Sequence, residues 1–265
     1  MMLSLKQITK YFYRGSVNEV LALQNLSLDV RRGDFISIIG SNGAGKSTML
    51  NCLAGSFFPD QGSILLDGKD VTGWPEYKRA RFIGRVFQDP LLGTCASMSI
   101  EQNLALALRR GRFRGLGSGV RRLDRDLFRE KLRLLDLGLE DRFQDPVGLL
   151  SGGQRQALTM VMATLVRPDI LLLDEHTAAL DPKTGQQILE LTERLVESME
   201  LTALMVTHNM HQALRMGNRL IMMHRGEIIL DITGEEKFRL KVDDLLARFY
   251  SLKKEAFSSD KMLLV

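Results

Sequence analysis

One eight-residue stretch, Gly40–Ser47, constrains the fold more than any other, and it reads Gly-Ser-Asn-Gly-Ala-Gly-Lys-Ser. It follows the apolar run Phe35–Ile39, which predicts a buried strand, and it leads into a helix predicted over Lys46–Ala54. Glycines at these spacings let backbone N–H groups close around a phosphate, and the helix N-terminus adds a favourable dipole. We therefore interpret Gly40–Ser47, the phosphate loop, as an anion site rather than as a glycine-rich structural turn.

The polar positions of the phosphate loop have distinct predicted roles. We expect Lys46, at a solvent-facing ligand site, to bridge the β- and γ-phosphates of ATP, and the Ser47 hydroxyl to ligate Mg²⁺. The other predicted nucleotide contacts here are Gly40, Ser41, Asn42, Gly43, Ala44, Gly45 and Thr48. ATP and Mg²⁺ are thus the predicted cofactors.

A second feature is a pair of carboxylates, Asp174 and Glu175, directly after the apolar run Ile170–Leu173. An unpaired charge at the edge of a core is costly, so buried strands rarely end this way by chance. We expect Asp174 to hold Mg²⁺, directly or through water, and Glu175 to orient and deprotonate the attacking water. A surface pair at a strand end is the alternative, which the neighbouring phosphate loop disfavours.

A third feature is the segment Leu150–Gln154, which begins a predicted helix with a serine cap and two glycines. Because the phosphate loop already encloses one nucleotide, this second anion site is best used on the γ-phosphate held by a partner copy. ATP would then join a head-to-tail homodimer or pseudo-dimer, with predicted contacts from Ser151, Gly152, Gly153 and Gln154. A plain helix cap is the alternative.

In this order and at these spacings, the three features resemble the ATPases of ABC transporters, and the likeness extends from end to end. The resemblance makes Leu150–Gln154 the family's signature segment. It implies that Gln88 touches Mg²⁺ and senses the transmembrane partner. It also implies that Ala179–Asp181 crosses the dimer interface and that His208 reaches the γ-phosphate.

The adenine contact follows from the same resemblance. Phe12 is the best match to the family's stacking aromatic residue, although Tyr11 and Tyr13 flank it and the register among the three stays open.

The implied fold is α/β, a P-loop NTPase core with a mostly parallel sheet, an N-terminal antiparallel β-subdomain and an inserted helical lobe near 93–147. Alternating strand and helix patterns agree with such a sheet. We expect one ABC ATPase domain over 1–240 and a helical tail over 241–265. Further predicted elements are strands at Ser63–Leu66, Phe82–Phe87 and Thr202–Val206, helices at Ser99–Leu108 and Leu123–Leu137, and a hairpin turning at Arg225–Glu227.

The implied function is ATP hydrolysis that energises a transporter. The expected partners are transmembrane permease subunits, a second copy of the chain in the ATP-bound state, and an extracytoplasmic binding protein. The expected location is the cytoplasmic face of the membrane. An ABC ATPase without a membrane partner, such as an iron–sulfur assembly factor, is the alternative.

Two departures from the family pattern stand out. His176 occupies a position where the family usually has proline, and we favour a packing role over a catalytic one. The run from Asp174 to Pro182 resembles bacterial importer ATPases linked to binding proteins, which suggests amino acids as substrates. The second departure is the basic, glycine-rich stretch 109–122, which we interpret as a solvated, mobile loop rather than as a binder of RNA or lipid phosphates.

Composition narrows the class of protein. Hydrophobic residues make up 45% and charged residues 26% of the chain, which is typical of globular domains. No apolar run reaches the roughly 20 residues of a membrane span, and the N-terminus does not resemble a signal peptide. The formal net charge of +4 does not by itself indicate a nucleic-acid partner. Cys52 and Cys95 lack metal-site spacing, so we expect two reduced thiols.

Overall fold

A computed structural model describes residues 1–111, 119–249 and 251. The strands are β1 (Leu3–Phe12), β2 (Val20–Val30), β3 (Phe35–Gly40), β4 (Gln61–Leu66), β5 (Lys69–Asp70), β6 (Ile83–Val86), β7 (Ile170–Asp174), β8 (Thr202–Val206), β9 (Arg219–His224) and β10 (Glu227–Thr233). The helices are α1 (Lys46–Ala54), α2 (Glu76–Arg79), α3 (Ile100–Leu108), α4 (Arg122–Arg133), α5 (Gly152–Thr164), α6 (Pro182–Ser198), α7 (Met210–Arg215) and α8 (Glu235–Arg239). Residues 242–249 are also helical, whereas most of the predicted tail lies outside the described residues.

Two sheets organise the molecule. The larger sheet has the order β10-β9-β3-β8-β7-β6, and its strands from β9 to β6 are parallel. The smaller sheet, β2-β1-β4-β5, is antiparallel throughout. This arrangement confirms the predicted α/β fold with an N-terminal antiparallel sheet.

The larger sheet is covered on both faces because its inner strands are apolar on both faces. Along β7, Leu171 and Leu173 pack into the core formed with α3 to α6. Ile170 and Leu172 alternate with them and pack into the other core, which includes α1 and the smaller sheet. Such double burial favours a parallel sheet whose loops at the carboxyl ends of the strands carry the functional groups.

The helical region between β6 and α5 departs from the sequence prediction at one helix. α4 begins at Arg122 and ends at Arg133, four residues before the expected end at Leu137. Beyond it, Asp136 and Gly138 have left-handed backbone conformations with φ of 53° and 66°. Left-handed residues terminate a helix, whatever the apolar pattern continues to suggest. The boundaries 93–147 of the helical lobe stay a prediction.

The expected hairpin brings β9 and β10 against the phosphate loop. Its two turn residues, Arg225 and Gly226, both have positive φ, as a tight two-residue hairpin requires. The Gly226 N–H donates to the Ala44 carbonyl at 3.1 Å, and the Gln24 N–H donates to the Gly226 carbonyl at 3.0 Å. The turn therefore braces the phosphate loop against β2.

Candidate functional site

The phosphate loop joins β3 to α1, and glycine is required in it. Gly45 is the N-cap of α1, has φ of 97° and provides no side-chain cap, so the first N–H groups of the helix are not capped by a side chain. A Cβ atom at Gly45 would overlap the Ala22 carbonyl oxygen and the Leu23 side chain. The loop is thus walled closely by β2, and its helix start keeps donors that suit a phosphate.

Lys46 is buried rather than solvent-facing, being only 6% exposed. Its Nζ donates to the carbonyl oxygens of Gly40 at 2.9 Å and Ser41 at 3.1 Å, so the ammonium folds over the loop it belongs to. Burial lowers the pKa of Lys46, an effect that the charges of Glu175 and Asp174 oppose. A cation held at this place is suited to bind phosphate oxygens that enter the loop.

Ser47 and Asp174 provide the candidate magnesium ligands. The Ser47 hydroxyl donates to Asp174 Oδ1 at 3.3 Å, which brings the start of α1 to the end of β7. Among the described residues, no group of three or more His, Cys, Asp or Glu side chains could hold a metal ion. Hard oxygen ligands in this small number fit Mg²⁺, which keeps several waters and binds through one or two carboxylates plus substrate phosphates.

The other oxygen of Asp174 faces a cation that the sequence did not reveal. Arg85 Nη2, on the adjacent strand β6, lies 3.6 Å from Asp174 Oδ2. Burial raises the pKa of the Asp174 carboxyl, whereas Arg85 and the Ser47 hydroxyl lower it. Both oxygens of Asp174 therefore have a partner within the chain.

Glu175 and His208 lie close together just beyond the ends of β7 and β8. Glu175 has φ of 43°, and its N–H donates to the Val206 carbonyl at 3.0 Å. Asp174 pairs with Val206 in the sheet, so β7 and β8 end side by side. Glu175 Oε2 is 3.4 Å from His208 Nδ1. A carboxylate that can accept a proton thus lies next to an imidazole that can contact a phosphate oxygen.

The signature segment forms the start of α5 as predicted. The Gln154 N–H donates to Ser151 Oγ at 3.2 Å, and the Ser151 N–H donates to Gln154 Oε1 at 3.1 Å, which is a capping box. Ser151 and Gly152 are exposed. The next helix start lies behind them, since Gly152 approaches Leu180, and Gly153 approaches the side chain of Thr184. Asp181 caps α6 there by accepting from the Thr184 N–H at 3.1 Å.

The comparison with family models gives a match to the ABC transporter family over residues 23–178. This chain belongs to the ABC transporter family. The tyrosine transport ATP-binding protein of Clostridioides difficile is 46% identical over 248 residues, covering 94% of this chain and 98% of that protein. The methionine import ATP-binding protein MetN of Escherichia coli O157:H7 is 34% identical, over 94% of this chain and 70% of MetN.

A solved structure agrees with these relatives. It is the dimeric ATP-binding cassette MJ0796 in a post-hydrolysis state bound to ADP and phosphate. Its TM-score is 0.75 at 33% identity, covering 88% of this chain and 98% of that one. This ABC protein is an ATPase that uses ATP and Mg²⁺ and functions with permease subunits and a second ATPase subunit. These relatives favour transport over the non-transport alternative.

The transporter subunit is membrane-associated. Within residues 1–111 and 119–249, no helix has the length and apolar character needed to cross a bilayer.

Gln88, the predicted sensor of the ABC protein's partner, is exposed just beyond β6. Val86 pairs with Leu173, so Gln88 and Glu175 leave the same edge of the sheet two residues later. A residue that the sequence did not reveal supports this loop: Gln156, buried in α5, donates from Nε2 to the Phe87 carbonyl at 3.3 Å. The sequence could not have identified Gln156 as a supporting residue, because its distinguishing feature is that its side chain is buried. The helical pattern of α5 does not show which amide side chain is buried.

Phe12 packs edge-on against Phe57, with ring centroids 5.3 Å apart. In the smaller sheet Phe12 pairs with Val20, and Lys10 pairs with Leu23, the residue that walls the phosphate loop at Gly45. The end of β1 therefore lies one strand away from the nucleotide loop.

The two flanking aromatic residues differ from Phe12 in their surroundings. Tyr13 is 74% exposed, and the Tyr11 ring lies under the Arg14 guanidinium at 5.0 Å. The assignment of the adenine contact to Phe12 stays a prediction.

His176 faces away from the catalytic pair. It is 2% exposed, and its Nε2 lies 3.0 Å from Thr192 Oγ1 on α6, a hydroxyl that donates to the Ile188 carbonyl. Thr192 therefore accepts from a His176 Nε2–H. Burial lowers the pKa of His176 to about 4. These contacts support the packing interpretation.

The basic stretch 109–122 is partly structural, in contrast to the expected solvated loop. Arg110 donates to the carbonyls of Ala163 at 3.0 Å and Val166 at 2.8 Å, at the end of α5. Arg109 pairs with Asp124 at 3.2 Å. These two arginines are anchored because they complete a helix end and a salt bridge. Residues 112–118 lie outside the described residues.

The two cysteines are free thiols, as expected. Cys52 is buried in α1 and Cys95 is exposed. Burial raises the pKa of the Cys52 thiol to about 11, so it is an unreactive packing group.

Proposed function

We propose that this ABC ATPase energises the import of an amino acid, with tyrosine as the first candidate. The observation that carries the proposal is 46% identity to a tyrosine transport ATP-binding protein across 98% of that protein's length. The methionine import ATP-binding protein of Escherichia coli O157:H7, a more distant relative, also supports an amino acid as the substrate. An extracytoplasmic binding protein would deliver the substrate, and the ATPase would act from the cytoplasmic face of the membrane.

We further propose how the site divides its work on the nucleotide. Phe12 stacks on adenine, and the phosphate loop with Thr48 encloses the phosphates. Lys46 holds the β- and γ-phosphate oxygens, supported by its enforced position over the loop. Ser47, Asp174 and Gln88 would hold Mg²⁺, which would supply positive charge to neutralise the phosphates.

Hydrolysis then proceeds by in-line attack of water on the γ-phosphorus. Glu175 orients that water and takes its proton, which its place 3.4 Å from His208 supports. His208 and Lys46 hold the γ-phosphate oxygens as charge develops on them. The site needs no covalent intermediate.

The second half of the site comes from a partner copy. Ser151, Gly152, Gly153 and Gln154 of one subunit close on the γ-phosphate held by the other, which the exposure of the α5 start supports. Binding closes the dimer, and hydrolysis opens it. One ABC ATPase domain over 1–240 is sufficient for this cycle, and 241–265 is a C-terminal addition to it.

Amino-acid uptake tests the proposal. A deletion strain complemented with the wild-type chain should take up radiolabelled tyrosine by an energised route, and the Glu175→Gln chain should not restore uptake. Methionine and a sugar measured in parallel are the controls for substrate class. Normal uptake of every amino acid with defective efflux of a solute would contradict import.

A further inference from the structure

Arg85 is the one charged residue of β6, and its guanidinium lies beside Asp174 at the proposed magnesium site. Its guanidinium carbon lies 4.4 Å from the centroid of the Phe87 ring, and its side chain is only 12% exposed. Nη2 faces Asp174 Oδ2 at 3.6 Å, and Nη1 donates to Ser56 Oγ at 3.4 Å. The guanidinium is thus held between an aromatic face and the carboxylate proposed to bind Mg²⁺.

Asp174 needs a cation nearby when no metal ion is bound. Its side chain is 13% exposed, and Glu175 adds a second negative charge beside it. A buried carboxylate is costly unless it is paired, and Arg85 provides this pairing from the adjacent strand. Lys46 contributes less to Asp174 than Arg85 does.

From this geometry we infer that Arg85 is a positioning residue that acts as the resident counter-charge of Asp174 and thereby weakens the divalent-ion affinity of the site. The inference rests on the proposed role of Asp174 as a magnesium ligand. Arg85 and a bound metal ion both interact with the negative charge of the Asp174 carboxylate. Arg85 therefore stabilises the metal-free state more than the metal-bound state, and this difference lowers metal affinity by linkage.

The Arg85 guanidinium has a second hydrogen-bond acceptor that stays available when a metal ion binds the Asp174 carboxylate. The Ser56 hydroxyl, which accepts from Arg85, itself donates to Glu76 Oε2 at 3.0 Å. Glu76 also acts on the Arg85 charge from a distance. Arg85 therefore lies between two carboxylates, one of which can bind the metal ion.

Nucleotide binding with and without magnesium tests the inference. In a Glu175→Gln background, which keeps bound nucleotide intact, the dissociation constant of mant-ATP is measured in Mg²⁺ and in EDTA. Arg85→Met keeps an apolar side chain on Phe87 but removes the charge. The ratio of the mant-ATP dissociation constant in EDTA to that in Mg²⁺ should therefore rise about fivefold, as a coupling free energy of about 1 kcal/mol predicts. Arg85→Lys should keep the wild-type ratio.

Thermal unfolding provides an independent readout. Arg85→Met should lower the melting temperature in EDTA and lower it much less with MgATP, because the bound ion replaces the lost charge. The matched control is Arg109→Met, which breaks a pair of similar burial with Asp124 in the helical region. That control should lower the melting temperature equally in both conditions and leave the mant-ATP ratio unchanged.

Several outcomes would overturn the inference. An unchanged ratio in Arg85→Met with equal losses of stability would make Arg85 a packing residue, and a lower ratio would make it a promoter of metal binding. If Arg85→Met is poorly folded, Arg85→Gln gives the same comparison. Asp174→Asn separates the two proposals: if it leaves the magnesium dependence intact, Asp174 is not a ligand, and the proposed site fails before Arg85 is judged.

Discussion

Two helices of this ABC ATPase begin with the same cap in opposite surroundings. At α3, Ser99 and Gln102 exchange hydrogen bonds, and Ser151 and Gln154 do the same at α5. Ser99 is only 8% exposed, whereas Ser151 lies at the surface. Sequence position alone does not distinguish these two capping boxes.

The residues between the cap partners differ, and this difference decides what each helix start can do. In α3 they are Ile100 and Glu101, both buried, and Glu101 pairs with Arg125 at 2.8 Å. A carboxylate at a helix start repels a phosphate, and the N–H groups of Ile100 and Glu101 already donate to backbone carbonyls at 3.1 Å. In α5 they are Gly152 and Gly153, which leave the N–H groups open to an anion. α3 therefore has a plain cap, whereas the start of α5 is also exposed, as the anion site that we propose there requires.

The largest expected effect comes from weakening the binding of the nucleotide whose γ-phosphate the α5 start of a partner copy is proposed to contact. Lys46→Ala should reduce ATP hydrolysis by at least about a hundredfold, because it deletes the cation held over the phosphate loop. ATP affinity should also fall. Steady-state ATPase and mant-ATP titration check this, with the exposed Lys69→Ala on β5 as control. Hydrolysis near the wild-type rate in Lys46→Ala would refute the assignment of the phosphate loop.

A second effect concerns α6, which forms the wall behind the α5 start. Since burial lowers the pKa of His176 from 6.5 to about 4, the unfolded chain binds more protons than the folded one between these values. The contribution of neutral His176 to stability is therefore fully present above the pKa of His176 in the unfolded chain, and it is lost as the pH falls towards the pKa of the folded protein. His176 should remove about 2 kcal/mol of unfolding free energy between about pH 7 and about pH 5.

Urea unfolding at the two pH values measures this contribution. His176→Leu removes the titrating ring and leaves the Thr192 bond to Ile188 in place, so its stability should fall less on acidification. Equal acid sensitivity in the two proteins would show that His176 is not the buried neutral group described above.

The smallest expected effect compares the two caps directly. Ser99→Ala and Ser151→Ala should each cost about 1 kcal/mol of stability, because each removes one N-cap hydrogen bond. Only Ser151→Ala should also weaken ATP-dependent association in a Glu175→Gln background. Urea unfolding and sedimentation measure the two properties. Equal loss of association in both variants would reduce the signature segment to a cap.

Local sequence patterns predicted much of this fold and several parts of the site. α1 and β8 have the expected bounds, because a glycine-rich loop fixes the helix start and a short apolar run fixes the strand. The predicted end of α4 was wrong, because the helical spacing of apolar residues continues up to residues that adopt a left-handed backbone conformation. Periodicity reports burial, and it does not report the backbone conformation that ends a helix.

Contacts between distant segments could not be predicted in the same way. Arg85 meets Asp174 only because β6 and β7 are neighbours in the sheet, although the two residues are far apart in sequence. The burial of Lys46 and the turn of His176 towards α6 likewise depend on packing. The motif residues were identified by their type and spacing, whereas their partners required the tertiary structure.

The oligomeric state of Glu175→Gln in ATP and in ADP tests the central claim most directly. That variant keeps the side-chain size at Glu175 but removes the base, so bound ATP persists and its γ-phosphate can join two subunits. By light scattering, we predict a dimer in ATP and a monomer in ADP. Adding Ser151→Arg, which fills the α5 start with bulk, should restore the monomer in ATP. A dimer that survives both ADP and the Ser151 change would place the interface elsewhere and contradict the account.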